Sequence, residues 1–220
     1  MSNDAKYVVF DGMDGSGKGT QIELLKQKFG DTAVFTREPG GVPLAEEIRK
    51  IVRDNPLAGQ STALFHFLAF WAAREELMHK LVMPALQSGK HVFSDRGDSS
   101  TFAFQLHGEK HLELFDLFSL MRKIVFAKSY GRHKPNLYVI FDLPAEVARE
   151  RVMCDASRGE TNHFDARNLE YYERVRNGFL GFSLNFSRCA APVEFFDATQ
   201  PPEKLHCSVM SLLARRGIIP

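Results

Sequence analysis

The stretch "FDGMDGSGKGT", Phe10 to Thr20, follows the apolar run "KYVVF" and precedes a segment with apolar residues at Ile22, Leu25 and Phe29. A buried strand, a glycine-rich turn and an amphipathic helix are the context in which G-x-x-x-x-G-K, here Gly12 to Lys18, reads as a phosphate-binding loop rather than a chance string. Glycines let successive backbone N–H groups converge on an anion, the helix N-terminus adds partial positive charge, and Lys18 can bridge the transferred group. Two features are unusual. Asp11 and Asp14 put negative charge into an anion-binding loop, and Gly19 stands where Ser or Thr commonly binds magnesium, leaving Thr20 as the nearest hydroxyl.

Working outward, short β-branched and aromatic runs recur at 6–10, 32–36, 91–94, 136–141 and 193–196. Longer segments with helical spacing separate them, such as Leu44, Ile48 and Ile51. Strands alternating with helices predict an α/β fold, a five-stranded parallel sheet flanked by helices on both faces, because parallel neighbours need crossover connections. The stretch 60–87 is apolar on more than one side and predicts a largely buried helix, kinked or ended at Pro84. The polar run "CDASRGETNHFDARN" (154–168) predicts a mobile loop. At 220 residues one domain is expected, 1–220, with that loop as a small lid at about 153–165.

Twenty-eight basic against 27 acidic residues leave a net charge of +1, which supplies no global field for nucleic acid or an anionic membrane. Phosphate binding must therefore be local. Three scattered cysteines, Cys154, Cys189 and Cys207, suit neither a zinc site nor a disulfide framework, and no run approaches the length of a membrane span, so a soluble, cytoplasmic protein is expected. His66, His79, His91 and His206 have no partners at ligand spacing and read as structural.

The chemistry narrows by what is missing and what is present. No acidic pair follows "YVIFDL" and no N-K-x-D guanine-reading motif occurs, which weakens the ATPase and GTPase readings. Transfer between two phosphates instead needs arginines that align charged reactants, and Arg37 in "TREPGG" and Arg96 in "SDRGDSS" both follow strands, at the edge where open α/β sheets bind ligands.

Taken together, "FDGMDGSGKGTQ", "FTREPGGVPLAEEIR", "FWAAR", "SDRGDSSTFAF", "RGETNHFD" and "FDATQP" resemble bacterial thymidylate kinases in order and spacing, from about residue 6 to 215. The resemblance implies the P-loop nucleoside monophosphate kinase fold, transfer of the γ-phosphoryl of ATP to dTMP, magnesium as cofactor and a homodimer whose interface involves 60–87. It assigns the ATP phosphates to Gly12, Asp14, Gly15, Ser16, Gly17, Lys18, Gly19 and Thr20, and the dTMP phosphate to Arg37 and Arg96. It also places Thr20 and Asp95 near the metal, Phe70 and Arg74 on the base, Ser100 and Thr101 beside it, and Phe104 under the deoxyribose. Asp14 would face the acceptor's 3′-hydroxyl or water on the metal; Asp11 would join that network or merely cap the turn. Pro39 matches a position often preceded by a cis peptide that would aim Arg37 at the acceptor.

The chain departs from the family's pattern at three points. Its phosphate loop has no basic residue among Met13, Asp14, Gly15 and Ser16, so the missing charge is assigned to the lid, to Arg158 above Arg151 and Arg149. His163 stands where relatives often carry arginine, and Phe102 replaces a residue polar in some of them. Two other readings stay open: a kinase for dUMP, a modified pyrimidine deoxynucleotide or AMP, and a nucleotide-binding module that has lost transfer.

Overall fold

The computed structural model describes residues 5–127, 134–154, 167–186 and 191–220. Five strands, β1 (Tyr7–Gly12), β2 (Ala33–Arg37), β3 (His91–Asp95), β4 (Leu137–Asp142) and β5 (Val193–Asp197), form one sheet in the order β2-β3-β1-β4-β5. Every neighbouring pair is parallel. Side chains alternate faces along a strand, so the complete burial of Tyr7, Val8, Val9 and Phe10 requires helices over both faces of β1. The edge strands β2 and β5 are correspondingly half-exposed.

The helices are α1 (Lys18–Phe29), α2 (Pro43–Asp54), α3 (Ala63–Leu77), α4 (Met83–Gln87), α5 (Asp98–Ser100), α6 (Phe115–Val125), α7 (Ala145–Cys154), α8 (Leu169–Phe186) and α9 (Pro202–Arg215). α2 is rolled relative to the predicted face. Leu44 and Ile51 are 57% and 48% exposed, and Ala45 and Val52 are buried instead, which turns Arg49 and Val52 toward a cleft. The stretch 60–87 also differs from expectation. α3 starts at Thr62, whose side chain accepts from the Phe65 amide, and buries Phe67, Trp71, Arg74 and Leu77. Leu64, Phe65 and Leu68 stay exposed, so the helix is apolar all round without being buried all round. Pro84 neither ends nor breaks it: the missing N–H is absorbed by a π-helical turn, Met78–Val82, before α4 continues.

Phe10 is the centre of the core, meeting Phe93 edge-on at 5.8 Å and stacking with Phe141 at 6.4 Å. Phe10→Ala should lower stability by about 3–5 kcal/mol, the usual cost of an aromatic-to-alanine cavity, read from urea unfolding midpoints.

Candidate active site

The carboxyl ends of β1, β2 and β3 converge on a cleft of about 390 Å³, within the range of small-molecule sites. After β1 the chain turns through Gly12, Gly15 and Gly17 at φ of 148°, 80° and 75° into α1. Gly15 has no alternative: besides its φ, a Cβ there would lie 2.8 Å from the Ala148 carbonyl oxygen on α7. Arg151, also on α7, donates Nη1 to the Gly15 and Ala198 carbonyls at 3.2 Å each, binding the loop to the turn after β5. Gln21 ties α1 to the same region through the Pro202 carbonyl at 3.0 Å. Ser16 is buried within the loop, while Gly19 and Thr20 are exposed on the first turn of α1. Lys18 is nearly buried and its ammonium pairs with Asp95 at the end of β3.

The next residue, Arg96, is held with a positive φ of 71°, a conformation that costs a side-chain-bearing residue energy and concentrates at functional sites. Its backbone N–H donates to the Phe10 carbonyl at 2.8 Å. Its guanidinium meets Asp14 at 2.5 Å, Ser100 Oγ at 3.0 Å and Asp11 at 3.5 Å, and lies 4.9 Å from the Phe104 ring centre. Burial pulls its pKa down, and Asp14, Asp11 and Asp95 reverse that and raise it. Asp11 does not reach solvent. Its oxygens accept from Ser99 and Ser100 at 2.6 and 2.7 Å and from the Gly12 amide at 2.9 Å. It is an internal anchor rather than a ligand of metal-bound water, and it does more than cap the turn.

One wall of the cleft is α2. Arg49 lines it, donating to the Pro39 carbonyl at 2.9 Å, whereas Arg37 does not: its side chain is 55% exposed and held by Glu46 at 3.0 Å. The Glu38–Pro39 peptide is cis, as anticipated, yet what it presents to the cleft is Glu38 and Pro39. Burial and then Arg37 and Arg53 depress the Arg49 pKa, so this corner carries more positive charge than its own carboxylates balance. An anion is the natural counterpart.

The opposite end is built by α3 and by a π-helical segment, Thr101–Gly108, that follows α5. Phe70 and Arg74 line it together, as their i, i+4 spacing predicts. Arg74 is 3% exposed; Nε donates to Glu38 at 2.6 Å, Nη2 to Thr101 Oγ1 at 3.1 Å, and Nη1 is buried without a partner. Burial raises the Glu38 pKa against the lowering by Arg74. Ser100, Thr101 and Phe104 line the cleft too. Phe102 does not: it is 1% exposed among Phe115, Phe118, Phe182 and Phe186, so its apolar character serves the core. Sequence reading missed Gln105, one turn beyond Thr101, which is 4% exposed, lines the cleft and leaves both carboxamide atoms unpartnered. It also missed Arg49, Glu109 and Tyr171. The recurrence of Arg49 at i+4 from Ala45 was the available signal. Of the predicted lid only Met153 and Cys154 are described; Arg158 and His163 lie outside the described residues, and Arg149 is exposed on α7.

A parallel sheet carrying this phosphate loop, with a second arginine-lined cleft beside it, defines a P-loop nucleotide kinase of the nucleoside monophosphate type. The family model for thymidylate kinase matches residues 10–208. Curated thymidylate kinases from Albidiferax ferrireducens and Chlorobium chlorochromatii are 32% and 35% identical over 223 and 222 residues, covering 99% and 95% of this chain and 99% and 94% of theirs. The crystal structure of thymidylate kinase from Ehrlichia chaffeensis superposes with a TM-score of 0.69 at 27% identity, covering 96% of this chain and 98% of that one. The chain belongs to the thymidylate kinase family.

The Asp11 environment predicts a pH signature. Burial raises its pKa, more than Arg96, Ser99 and Ser100 lower it, so the folded state holds this proton more tightly than the unfolded chain. That contribution to stability is full below the free aspartate value of about 3.9 and is lost as pH rises through the folded pKa. Urea unfolding across pH 3.5–7 should therefore show the wild type's advantage over Asp11→Asn shrinking as pH rises.

Proposed function

We propose that this chain transfers the γ-phosphoryl of ATP to dTMP, giving ADP and dTDP. The observation that carries the reading is that the phosphate loop opens, through Met13, Asp14 and Lys18, onto a cleft that combines a cationic corner, Arg49 and Arg96, with buried unpaired polar atoms at its other end, on Arg74 and Gln105. A module that only bound ATP would not need that second cleft.

The donor phosphates sit on the backbone amides from Gly12 through Thr20, with Gly15, Ser16, Gly17 and Gly19 allowing close approach, and Lys18 leaves Asp95 to bridge the transferred group. Asp14 belongs to both halves, since it opens the loop and lines the acceptor cleft. Arg49 and Arg96 take the monophosphate, and Arg37 adds charge from the rim. At Arg96 and Lys18 a substrate anion takes the place of a carboxylate, so neither cation stands bare before binding. At the base, Phe70 stacks on the pyrimidine while Arg74 Nη1 and the Gln105 carboxamide supply one donor each and an acceptor to its edge. Phe104 packs beneath the sugar, where a 2′-hydroxyl would lose water without gaining a partner. Arg158 is the proposed source of the cation that the phosphate loop lacks, with Arg151 occupied in holding Gly15 and Ala198.

Magnesium fits this donor set. Thr20 is exposed beside the loop, Asp95 offers a carboxylate, and among the described residues no group of three or more His, Cys, Asp or Glu forms a cage, which suits an ion held largely by phosphates and water. When bound it supplies charge neutralisation on the phosphoryl oxygens.

We also propose a homodimer. Leu64, Phe65 and Leu68 on α3 and Leu120 and Ile124 on α6, which packs against it, form an exposed apolar face that a second copy would cover. Leu68→Glu should shift the light-scattering mass to that of a monomer. A cytoplasmic setting follows from the substrates. Among the described residues no helix is long and apolar enough to cross a membrane.

A coupled ADP-release assay with ATP, magnesium and a panel of monophosphates tests the reaction: dTMP should be turned over best. Turnover of dUMP or AMP without dTMP would sink this reading in favour of another acceptor. Arg49→Ala should raise the KM for dTMP about tenfold or more, and Arg37→Ala less, with ATP affinity spared in both. Gln105→Ala should blunt the preference among pyrimidines.

A further inference from the structure

The π-helical segment Thr101–Gly108 carries Thr101, Phe104 and Gln105 into the acceptor cleft, and part of what sets its position lies behind it, at Gly178, which does not line that cleft. α8 runs along its back. A Cβ on Gly178 of α8 would lie 2.7 Å from Ala103 Cα, 2.9 Å from His107 Cβ and 3.0 Å from the Ala103 carbonyl oxygen. Two of those three atoms are backbone, so no side-chain rotation relieves the contact. Ala103 itself is fully buried and directly precedes Phe104. Gly181, one turn further along α8, is different: its Cβ would meet nothing closer than 3.5 Å.

The segment is also pinned at both ends. Before its start, on α5, Asp98 is completely buried, accepting from Tyr138 Oη at 2.8 Å and pairing with Arg122 at 2.9 Å. At its finish, the Gly108 carbonyl accepts from Arg174 Nε at 3.0 Å, and a Cβ on Gly108 would lie 2.7 Å from Val175. A segment fixed at its ends and pressed in the middle yields toward its open side, which is the cleft, and any recoil of α8 moves Tyr171 and Val175 in the same cleft.

We infer that Gly178 is a positioning residue that sets the width of the acceptor cleft, and with it the discrimination among pyrimidine monophosphates. Helix α8 approaches the reading segment more closely than any residue with a Cβ allows, so Gly178→Ala forces the two apart and shifts cleft-lining side chains, Phe104 and Gln105 on the segment and Tyr171 and Val175 on α8, without replacing any of them. This rests on the dTMP reading above and names a determinant of its specificity outside the cleft lining.

The test is titration calorimetry of dTMP, dUMP and ATP on the full-length wild type, Gly178→Ala, Gly181→Ala and Tyr138→Phe, with urea unfolding of each. Gly178→Ala should bind dTMP about tenfold or more weakly and change the dTMP-to-dUMP ratio, because displacements of an ångström at a reading wall carry such penalties, while ATP affinity stays within about twofold. Gly181→Ala should match the wild type. Unchanged dTMP affinity and ratio in folded Gly178→Ala, or equal loss for ATP and dTMP, overturns the inference. Should Gly178→Ala fail to fold, Tyr138→Phe decides: removing the hydroxyl that holds Asp98 should weaken dTMP several-fold with ATP spared, and an unchanged dTMP affinity overturns the proposal. A wild type that binds no dTMP defeats the acceptor reading itself, a separate outcome.

Discussion

The site depends on one partly buried cation. Arg96 joins β1, β3, the phosphate loop and α5, because its backbone N–H bonds Phe10 while its guanidinium spans Asp14, Ser100 and Asp11. A guanidinium this desolvated would be costly alone, and removing one partner of such a group leaves an uncompensated charge. The carboxylates are therefore the condition under which an arginine can be stored in the cleft before substrate arrives. Asp11 is the permanent member, sealed by Ser99, Ser100 and the Gly12 amide. Asp14 is the half-exposed one, and so the one that a bound phosphate can relieve. That division answers why acids stand in an anion-binding loop: they hold its cations in place until the anions come.

The same logic explains how a chain with a net charge of only +1 binds highly charged reactants. Lys18 rests on Asp95, Arg96 on Asp14, Arg37 on Glu46 and Arg74 on Glu38, so these four cations near the cleft each have a carboxylate within reach. Arg49 is held by a neutral carbonyl and crowded by Arg37 and Arg53, which leaves the surplus positive charge at that one corner. In a partly desolvated cleft such local surplus counts for more than net charge, which solvent and salt screen beyond about 10 Å.

Much of this was legible in the sequence, for identifiable reasons. The five strands could be read because buried parallel strands are short runs of β-branched and aromatic residues with helices between them, and the phosphate loop because its glycines have a stereochemical reason to be there. Phe70 and Arg74 followed from helical spacing. What could not be read was rotation and reach. The apolar residues of α2 suggested a face through Leu44 and Ile51, but the helix lies with Ala45 and Val52 inward, and that roll brings Arg49 into the cleft lining, which Arg37 at the end of β2 does not join. Gln105 was hidden because a polar residue in an apolar run looks solvated until its neighbours are known. Phe102 misled for the converse reason: its π-helical setting sends it into the core and Gln105 into the cleft. Asp11 was ambiguous because two serines, 88 and 89 residues away, decide its role.

The π-helical segment shows why a cleft's lining does not by itself determine what the cleft accepts. The side chains it presents to the cleft are one Thr, one Phe and one Gln, common enough that their identity alone carries little discrimination. On the proposed reading, pyrimidines differing by one methyl are told apart by the distance at which those groups stand, and a single methylene-sized misfit is worth only about 1–3 kcal/mol. A displacement of a few tenths of an ångström in the wall is then comparable with the difference being read. That places the constraint on the rigid contacts behind the wall, where Gly178 and Gly108 remove the side chains that would hold α8 off and Asp98 fixes the starting register against Arg122 and Tyr138. These residues combine close packing with a buried charge pair because the wall must resist motion in two directions, sliding along its axis and bulging into the cleft. The glycines let α8 back the wall without pressing it into the cleft, and the buried ion pair opposes sliding.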